Sequence, residues 1–246
     1  MIRTIIVLIL ILFYLLLSIP LMFIFWLLEE FTPKAKLWYQ IIGQIALKTL
    51  CIASGIKLTV IGQDKIPTDT AALFVANHQS YFDVIIGYTL MKRQTGFVAK
   101  DSLKKIPILS WNMRFMNCLF IDRENMRQGV RTIMQAADLA KEGTSIFIFP
   151  EGTRNKSGDE TNLGPFHDGS FKVAQRGKVP IIPVSFNNTE SILEKHMPKI
   201  KSSKVVVEFG DPVWWDDMDK ATQKHVGAHF REIILDMIKK NQELVG

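Results

Sequence analysis

The hydrophobic and polar positions divide the chain into an apolar N-terminal segment and a longer mixed remainder. Residues Thr4 to Leu28 carry no charge and are dominated by Ile, Leu and Phe. A helix of this length crosses a hydrocarbon core of ~30 Å, although Pro20 predicts a kink or an end within it. A signal peptide is the alternative. It is disfavoured because the apolar run exceeds the usual ~7–15 residues and because Glu29-Glu30, with no small-residue cleavage site, follows.

The segment from Lys34 to Lys48 predicts an amphipathic helix, because its apolar residues recur at helical spacing. Its lysines and the pair Trp38-Tyr39 are residue types that suit a membrane interface. Packing on a domain explains the same pattern, and both interpretations stay open. The two helices either span the bilayer or enter one leaflet as a hairpin. We therefore predict a membrane anchor over residues 1–55 and a second domain over residues 56–246.

Residues 56–246 alternate strand-like and helix-like segments, which predicts an α/β domain with a mostly parallel or mixed sheet flanked by helices. Short apolar runs predict seven strands: Lys57 to Ile61, Ala71 to Ala76, Thr95 to Ala99, Cys118 to Ile121, Ser145 to Phe149, Pro180 to Val184 and Lys204 to Phe209. Helical periodicity predicts five helices: Tyr81 to Met91, Ile108 to Met116, Met126 to Glu142, Gly169 to Arg176 and Lys220 to Asn241.

The segment from Asn77 to Asp83 places a histidine and a carboxylate just after the second predicted strand. If a helix starts at Tyr81, His78 lies in the turn before it, and Asp83 can reach back to the imidazole. A carboxylate that holds an imidazole in one tautomer leaves its other nitrogen free to take a proton. The alternative is a histidine at a helix start with the aspartate on a solvated face.

Cationic residues follow three further predicted strands. Lys105 lies in the segment after the third strand, Arg123 follows Phe120 and Ile121, and Arg154 follows the turn that contains Glu151. The carboxyl ends of parallel strands share one edge of a sheet, and arginine donors match phosphate oxygens. Together with His78, these residues indicate a site for a phosphorylated molecule whose hydroxyl group loses a proton. Taken alone, the turn favours a surface ion pair between Glu151 and Arg154 slightly over a phosphate contact.

Composition and absent motifs narrow the function classes. The formal net charge of +6 suits anionic lipid headgroups or a phosphorylated ligand, and no basic run is dense enough to favour nucleic acid. The sequence has no nucleophile elbow, P-loop or dinucleotide fingerprint. His225 and His229 have helical spacing but lack the glutamate of zinc proteases, so we expect a solvated helix face and no metal site. Cys51 and Cys118 are expected to be buried free thiols.

Four ordered blocks, NHQSYFD, FIDR, FPEGTR and VPIIPV, resemble those of the glycerolipid acyltransferases, and specifically of the bacterial 1-acyl-glycerol-3-phosphate acyltransferases. The resemblance covers roughly residues 57–215, and the N-terminal hydrophobic helices are also typical of that family. It implies transfer of an acyl chain from a thioester to the free 2-hydroxyl of lysophosphatidic acid, giving phosphatidic acid for phospholipid biosynthesis.

The resemblance also assigns roles to residues of the four blocks. His78 would be the general base, and Asp83 would orient it. The acceptor would be bound by Lys105, Arg123 and the turn residues Glu151, Gly152, Thr153 and Arg154. No cofactor is implied, since the acyl donor is a substrate: a thioester of coenzyme A or of acyl carrier protein. The remaining partner is a phospholipid membrane, and we expect the cytoplasmic face of the inner membrane because acyl donors are cytoplasmic.

The sequence departs from the family pattern at two places. Asn117 stands where the family usually carries glycine, and His167-Asp168 stands where a basic pair commonly follows the equivalent of Phe166. Lys172 is a candidate to supply the missing positive charge.

Two other functions remain open from the sequence. An acyltransferase for glycerol 3-phosphate or another lysophospholipid would keep the chemistry and change the acceptor. A non-catalytic membrane-tethered lipid-binding protein would need neither His78 nor Asp83.

Overall fold

The computed structural model describes residues 1–245, which form eight α-helices, seven strands and several short 3₁₀ turns. The helices are α1 (Ile2–Glu29), α2 (Ala35–Ala53), α3 (Tyr81–Leu90), α4 (Pro107–Phe115), α5 (Met126–Lys141), α6 (Lys172–Gly177), α7 (Lys220–Lys224) and α8 (Val226–Val245). The strands are β1 (Ile56–Ile61), β2 (Leu73–Ala76), β3 (Thr95–Lys100), β4 (Leu119–Ile121), β5 (Ser145–Ile148), β6 (Ile181–Asn187) and β7 (Ser203–Phe209). All seven predicted strands are present.

The strands form one sheet in the order β1-β7-β6-β2-β5-β3-β4. Five neighbouring strands, β6, β2, β5, β3 and β4, are parallel. The β6–β7 pair is antiparallel, and β1 lies parallel to β7. The prediction of a mostly parallel or mixed sheet flanked by helices is therefore confirmed.

Alternation along the strands gives the sheet two buried faces. In β2, Phe74 and Ala76 join the core beneath α1 to α4, whereas Leu73 and Val75 join the core beneath α5, α6 and α8. The strand is fully buried on both sides, so its sequence reads as a continuous apolar run.

Helix α1 continues through Pro20 to Glu29, so the helix does not end at the proline. A buried polar cluster fastens the middle of α1 to the rest of the protein: the Asn112 amide donates to the Ser18 hydroxyl at 2.8 Å, and the Tyr39 hydroxyl donates to Asn112. Nearer its start, the Thr4 hydroxyl accepts from the backbone N–H of Ile200 at 3.0 Å. These contacts fasten α1 to the rest of the protein near its start and at its middle.

The opposite face of α1 is exposed and apolar. Within residues 1–245, α1 is the one helix whose length and hydropathy suit a membrane span, and only 11% of its most apolar window is buried. Its exposed side chains include Ile9, Leu12, Phe13, Leu16 and Phe23. An apolar surface of this extent on a protein exterior is typical of a lipid or protein contact.

The predicted helix from Lys220 to Asn241 is wrong as a single element, because α7 ends at Lys224 and α8 begins at Val226. The chain turns at His225 so that Gly227 can pack against the loop ahead of α6. There the N–H of Gly227 donates to Asp168 at 2.7 Å, and a Cβ at Gly227 would lie 2.2 Å from the carbonyl oxygen of Phe166. His225 and His229 consequently do not share one continuous helix, although both are exposed.

The predicted helix from Gly169 to Arg176 is also shorter than expected. Asp168–Phe171 form a 3₁₀ turn, and only Lys172–Gly177 are α-helical.

Candidate active site

The predicted site residues follow four adjacent parallel strands at the same edge of the sheet. His78 comes after β2, Glu151 after β5, Lys105 after β3 and Arg123 after β4, and these strands are neighbours in that order. The expected convergence of these segments on one edge is thus observed, because the carboxyl ends of parallel strands point the same way.

His78 and Asp83 meet at the start of α3. Ser80 is the N-cap, and Asp83 occupies the third helical position and reaches back to the backbone N–H of Ser80 at 2.7 Å, completing a capping box. The same carboxylate oxygen lies 2.8 Å from Nδ1 of His78 and 2.7 Å from the backbone N of Gln79. The helix start therefore brings the two side chains together, as the sequence predicts.

The dyad is enclosed but reachable. Asp83 is fully buried, and the His78 side chain retains 14% of its exposure. The imidazole stacks on the ring of Phe149, with centroids 4.1 Å apart. An Nδ1–H that donates to Asp83 leaves Nε2 as the nitrogen that can accept a proton.

The buried side chain of Glu151 binds the backbone of the turn that carries His78. Its carboxylate accepts the backbone N–H of His78 at 2.9 Å and that of Gly164 at 2.9 Å, and the residue is buried. Burial raises the pKa of Glu151, while the two backbone donors act to lower it and only partly offset the effect. Glu151 thus fixes the loop that carries His78. The alternative interpretation of the turn, a surface ion pair between Glu151 and Arg154, is not observed, because Arg154 pairs with Glu194.

Gly152 places the turn close to Arg123. Its φ of +70° is a left-handed conformation that favours glycine. A Cβ added at Gly152 would lie 3.5 Å from the His167 ring and 4.0 Å from Cδ of Arg123. Arg123 itself is exposed. The segments after β4 and β5 therefore meet at a point lined by an arginine and a histidine.

Arg154 is held at the start of α3. Its guanidinium donates to Glu194 at 3.3 Å and lies over the Tyr81 ring, 3.8 Å from the centroid. Glu194 also accepts the Ser80 hydroxyl at 2.7 Å and the Tyr81 N–H at 2.8 Å. Arg154 is therefore already paired with a carboxylate.

The two remaining predicted site residues, Thr153 and Lys105, are exposed to solvent. Thr153 is exposed in the turn between Gly152 and Arg154, and Lys105 is exposed at the end of the 3₁₀ turn that follows β3.

The structure accounts for both departures from the family pattern. Asn117 has a φ of +59°, a left-handed conformation that asparagine tolerates in place of glycine. His167 faces Gly152, whereas Lys172 donates to Gln175 at 2.8 Å and lies near the Trp215 ring. His167, and not Lys172, is thus the residue of that loop beside the site.

Two residues near the dyad were not predicted. The hydroxyl of Thr189 donates to the second carboxylate oxygen of Asp83, and Glu194 holds Arg154. Both follow β6, more than 100 positions after Asp83 and Ser80 respectively. No local spacing links residues so far apart in sequence.

Comparison with protein-family models identifies residues 57–187 as a match to the family described as "Acyltransferase". This region is more than half of the chain and contains His78, Arg123 and Glu151. The chain belongs to the acyltransferase family.

Named relatives of this acyltransferase come from plants, fungi and bacteria. It is 34% identical over 65% of its length to the chloroplastic 1-acyl-sn-glycerol-3-phosphate acyltransferase BAT2 of Brassica napus, of which it covers 43%. It is 27% identical over 76% of its length to a 1-acyl-sn-glycerol-3-phosphate acyltransferase of Saccharomyces cerevisiae, of which it covers 61%. A probable enzyme of the same name from Mycoplasma pneumoniae is 31% identical, with coverage of 65% and 62%. The chain thus spans about half of the length of these relatives.

The fold of this acyltransferase matches a solved structure almost end to end. The crystal structure of the 1-acyl-sn-glycerophosphate acyltransferase PlsC from Thermotoga maritima aligns with a TM-score of 0.83 and covers 98% of this chain and 96% of that one, at 22% identity. The likeness includes the two N-terminal helices, because nearly the whole chain is aligned.

Proposed function

We propose that the protein transfers a fatty acyl chain from a thioester to the 2-hydroxyl of lysophosphatidic acid and so forms phosphatidic acid. The observation that carries the proposal is the 2.8 Å contact between Nδ1 of His78 and Asp83 at the sheet edge where Arg123 also lies. The names of the relatives point to the same acceptor. An imidazole base beside a cationic group suits an alcohol that carries a phosphate.

The reaction proceeds by direct attack. Nε2 of His78 takes the proton of the hydroxyl group as its oxygen bonds to the thioester carbonyl carbon. Asp83 stabilises the imidazolium that forms. When the tetrahedral intermediate collapses, the C–S bond breaks, and the imidazolium returns the proton to the departing thiolate. No covalent enzyme intermediate is needed, so neither a serine nor a cysteine nucleophile takes part.

We assign the acceptor phosphate to the surface between Arg123 and the turn at Gly152. Arg123 is exposed there, and the absence of a side chain on Gly152 leaves room beside it. Thr153 and Lys105 are exposed on the same edge of the sheet and supply contacts to the rest of the headgroup. Glu151 contributes by fixing the backbone of His78 and not by touching the lipid.

Residues 1–55 form the membrane-binding part in this proposal, and residues 56–246 form the catalytic domain. Helix α1 is fastened to the domain from Thr4 to Ser18, a length of about 21 Å at 1.5 Å per residue. A helix docked over this length on the α/β domain is not free to thread through both leaflets. We therefore favour insertion of its exposed apolar face into the cytoplasmic leaflet of the cell membrane.

The test is an assay of the purified protein in lipid vesicles with two acceptors and two donors. Lysophosphatidate and glycerol 3-phosphate are each offered with the same acyl chain on coenzyme A and on acyl carrier protein. We expect phosphatidic acid from lysophosphatidate and no product from glycerol 3-phosphate. Acylation of glycerol 3-phosphate alone would overturn the proposed acceptor, and the two donor arms determine which thioester the enzyme uses.

A further inference from the structure

Asp83 is hydrogen-bonded on both of its carboxylate oxygens, and the two oxygens have different partners. One oxygen accepts from the His78 ring and from the backbone N–H groups of Gln79 and Ser80. Among residues 1–245, the other oxygen accepts only from the hydroxyl of Thr189. The carboxylate is fully buried, so water does not replace a lost donor at little cost.

Thr189 is placed for this contact by the end of β6. The strand runs parallel to β2, and the chain then turns at Asn188, whose φ is +64°. Thr189 opens the 3₁₀ turn that follows and is fully buried. The parallel neighbours β2 and β6 thus deliver the base and this hydroxyl to the same edge.

We infer that Thr189 is a positioning residue of the acyltransferase, one that acts on His78 through Asp83. Its hydroxyl fixes the rotation of the carboxylate and draws negative charge toward the oxygen that His78 does not contact. The inference rests on the proposed function for its kinetic readout.

The direction of the effect follows from the charge distribution. Without the Thr189 donor, more negative charge stays at the oxygen facing His78, and the imidazole keeps its proton to higher pH. The charged groups near the helix start include Glu151, which binds the His78 backbone, and the pair Arg154 and Glu194 beside Ser80. Glu190, next to Thr189 in the same turn, is paired with Lys195 at 2.6 Å. The hydroxyl of Thr189 bonds to Asp83 and to none of these groups, so its removal changes one hydrogen bond.

The test compares Thr189→Val, which keeps the shape and removes the donor, with Thr189→Ser, which keeps the donor. T189V loses the hydrogen bond that fixes the rotation of the Asp83 carboxylate, and hydrogen bonds to charged groups are among the strong ones. We therefore expect kcat to fall about 10–100-fold in T189V. The KM for lysophosphatidate stays within about twofold, and the acid limb of the kcat/KM–pH profile moves up by about one pH unit. T189S restores both.

Ser191→Ala is the matched control, since Ser191 lies in the same turn and its hydroxyl bonds to Asn188 and not to Asp83. We expect wild-type kinetics from S191A. Equal losses in S191A and T189V, or an unshifted pH profile in T189V, would reduce Thr189 to a role in loop stability and overturn the inference.

A second readout does not depend on the substrate. In protein labelled with ¹⁵N-histidine, the Nδ1–H resonance of His78, identified by its loss in H78A, is expected to move in T189V and to return in T189S. An unmoved resonance overturns the inference even if the acceptor proves to be another lipid. A wild-type enzyme that acylates neither acceptor overturns the proposed function while leaving this resonance as the test of Thr189.

Discussion

The guanidinium of Arg154 lies 3.3 Å from the carboxylate of Glu194, a residue 40 positions later in the chain. Glu194 also accepts from the Ser80 hydroxyl and the Tyr81 N–H, so one carboxylate joins Arg154, in the turn after β5, to α3, the helix that carries Asp83. Arg154 is thus preorganised at the helix start, and its positive charge is offset before any phosphate binds.

Glu194→Gln is expected to lower the KM for lysophosphatidate by about two- to tenfold. The amide oxygen still accepts from the Tyr81 N–H, and the amide NH₂ can donate to the Ser80 hydroxyl. The counter-charge on Arg154 is gone, so a phosphate bound at the same sheet edge meets a more positive field. Steady-state kinetics at several salt concentrations measure the effect, which should weaken as salt increases. Arg154→Ala is the paired variant and should raise the KM. Unchanged KM values in both variants would show that the pair only stabilises the turn.

His78→Ala is expected to reduce kcat by about 10²–10⁴-fold, the range for loss of a general base. Binding of the acceptor persists because the cationic groups are intact. His229→Ala is the control, since His229 is an exposed histidine on α8 far along the chain from the site. Residual activity of H78A near the wild-type level would favour a lipid-binding protein or a different base.

Glu151→Gln tests the buried carboxylate by its pH dependence. Because the pKa of Glu151 is raised by burial, its contribution to stability is present below the ordinary carboxyl pKa and is lost as the pH rises through the folded-state value. The advantage of the wild type over E151Q in free energy of unfolding should therefore shrink as the pH is raised from about 4 toward neutrality. Denaturant titrations of both proteins across this range measure it. An advantage that grows with pH would mean that the two backbone donors outweigh burial.

The two thiols are expected to react slowly in the folded protein. Burial raises the pKa of Cys51 and of Cys118 to about 11 each. Because these pKa values are about two units above that of an ordinary cysteine, each thiol has about 100-fold less thiolate at neutral pH. A colorimetric thiol reagent at pH 8 should show both cysteines modified promptly in denaturant and at least tenfold more slowly without it. Prompt modification of the native protein would contradict the packing of α2 and β4.

The same shift makes the fold sensitive to alkali. A thiol with a raised pKa stabilises the folded state below its ordinary pKa, and the contribution is lost as the pH rises through about 11.

The protein is expected to stay with membranes after a high-salt wash. Burial of the exposed apolar face of α1 is insensitive to screening, whereas binding through surface lysines alone would be lost at high salt. Sedimentation of washed vesicles measures the retained fraction. Release by salt alone would show that α1 does not insert. If one leaflet is entered, cysteines introduced at Met1 and Phe31 should both remain accessible from the side of the catalytic domain.

The strands, the sheet class and the dyad follow from local sequence, because alternation, apolar runs and a helix start are properties of neighbouring residues. Asp83 reaches His78 since both belong to one capped turn, and the parallel order of β2, β5, β3 and β4 brings Arg123 to the same edge. Contacts between segments distant in sequence cannot be predicted in this way. The continuity of α1 through Pro20, the turn at His225 and the bonds from Thr189 and Glu194 depend on packing partners remote in sequence. Their free energies come from burial and hydrogen bonds that exist only after the sheet has assembled, so no periodicity in the chain encodes them.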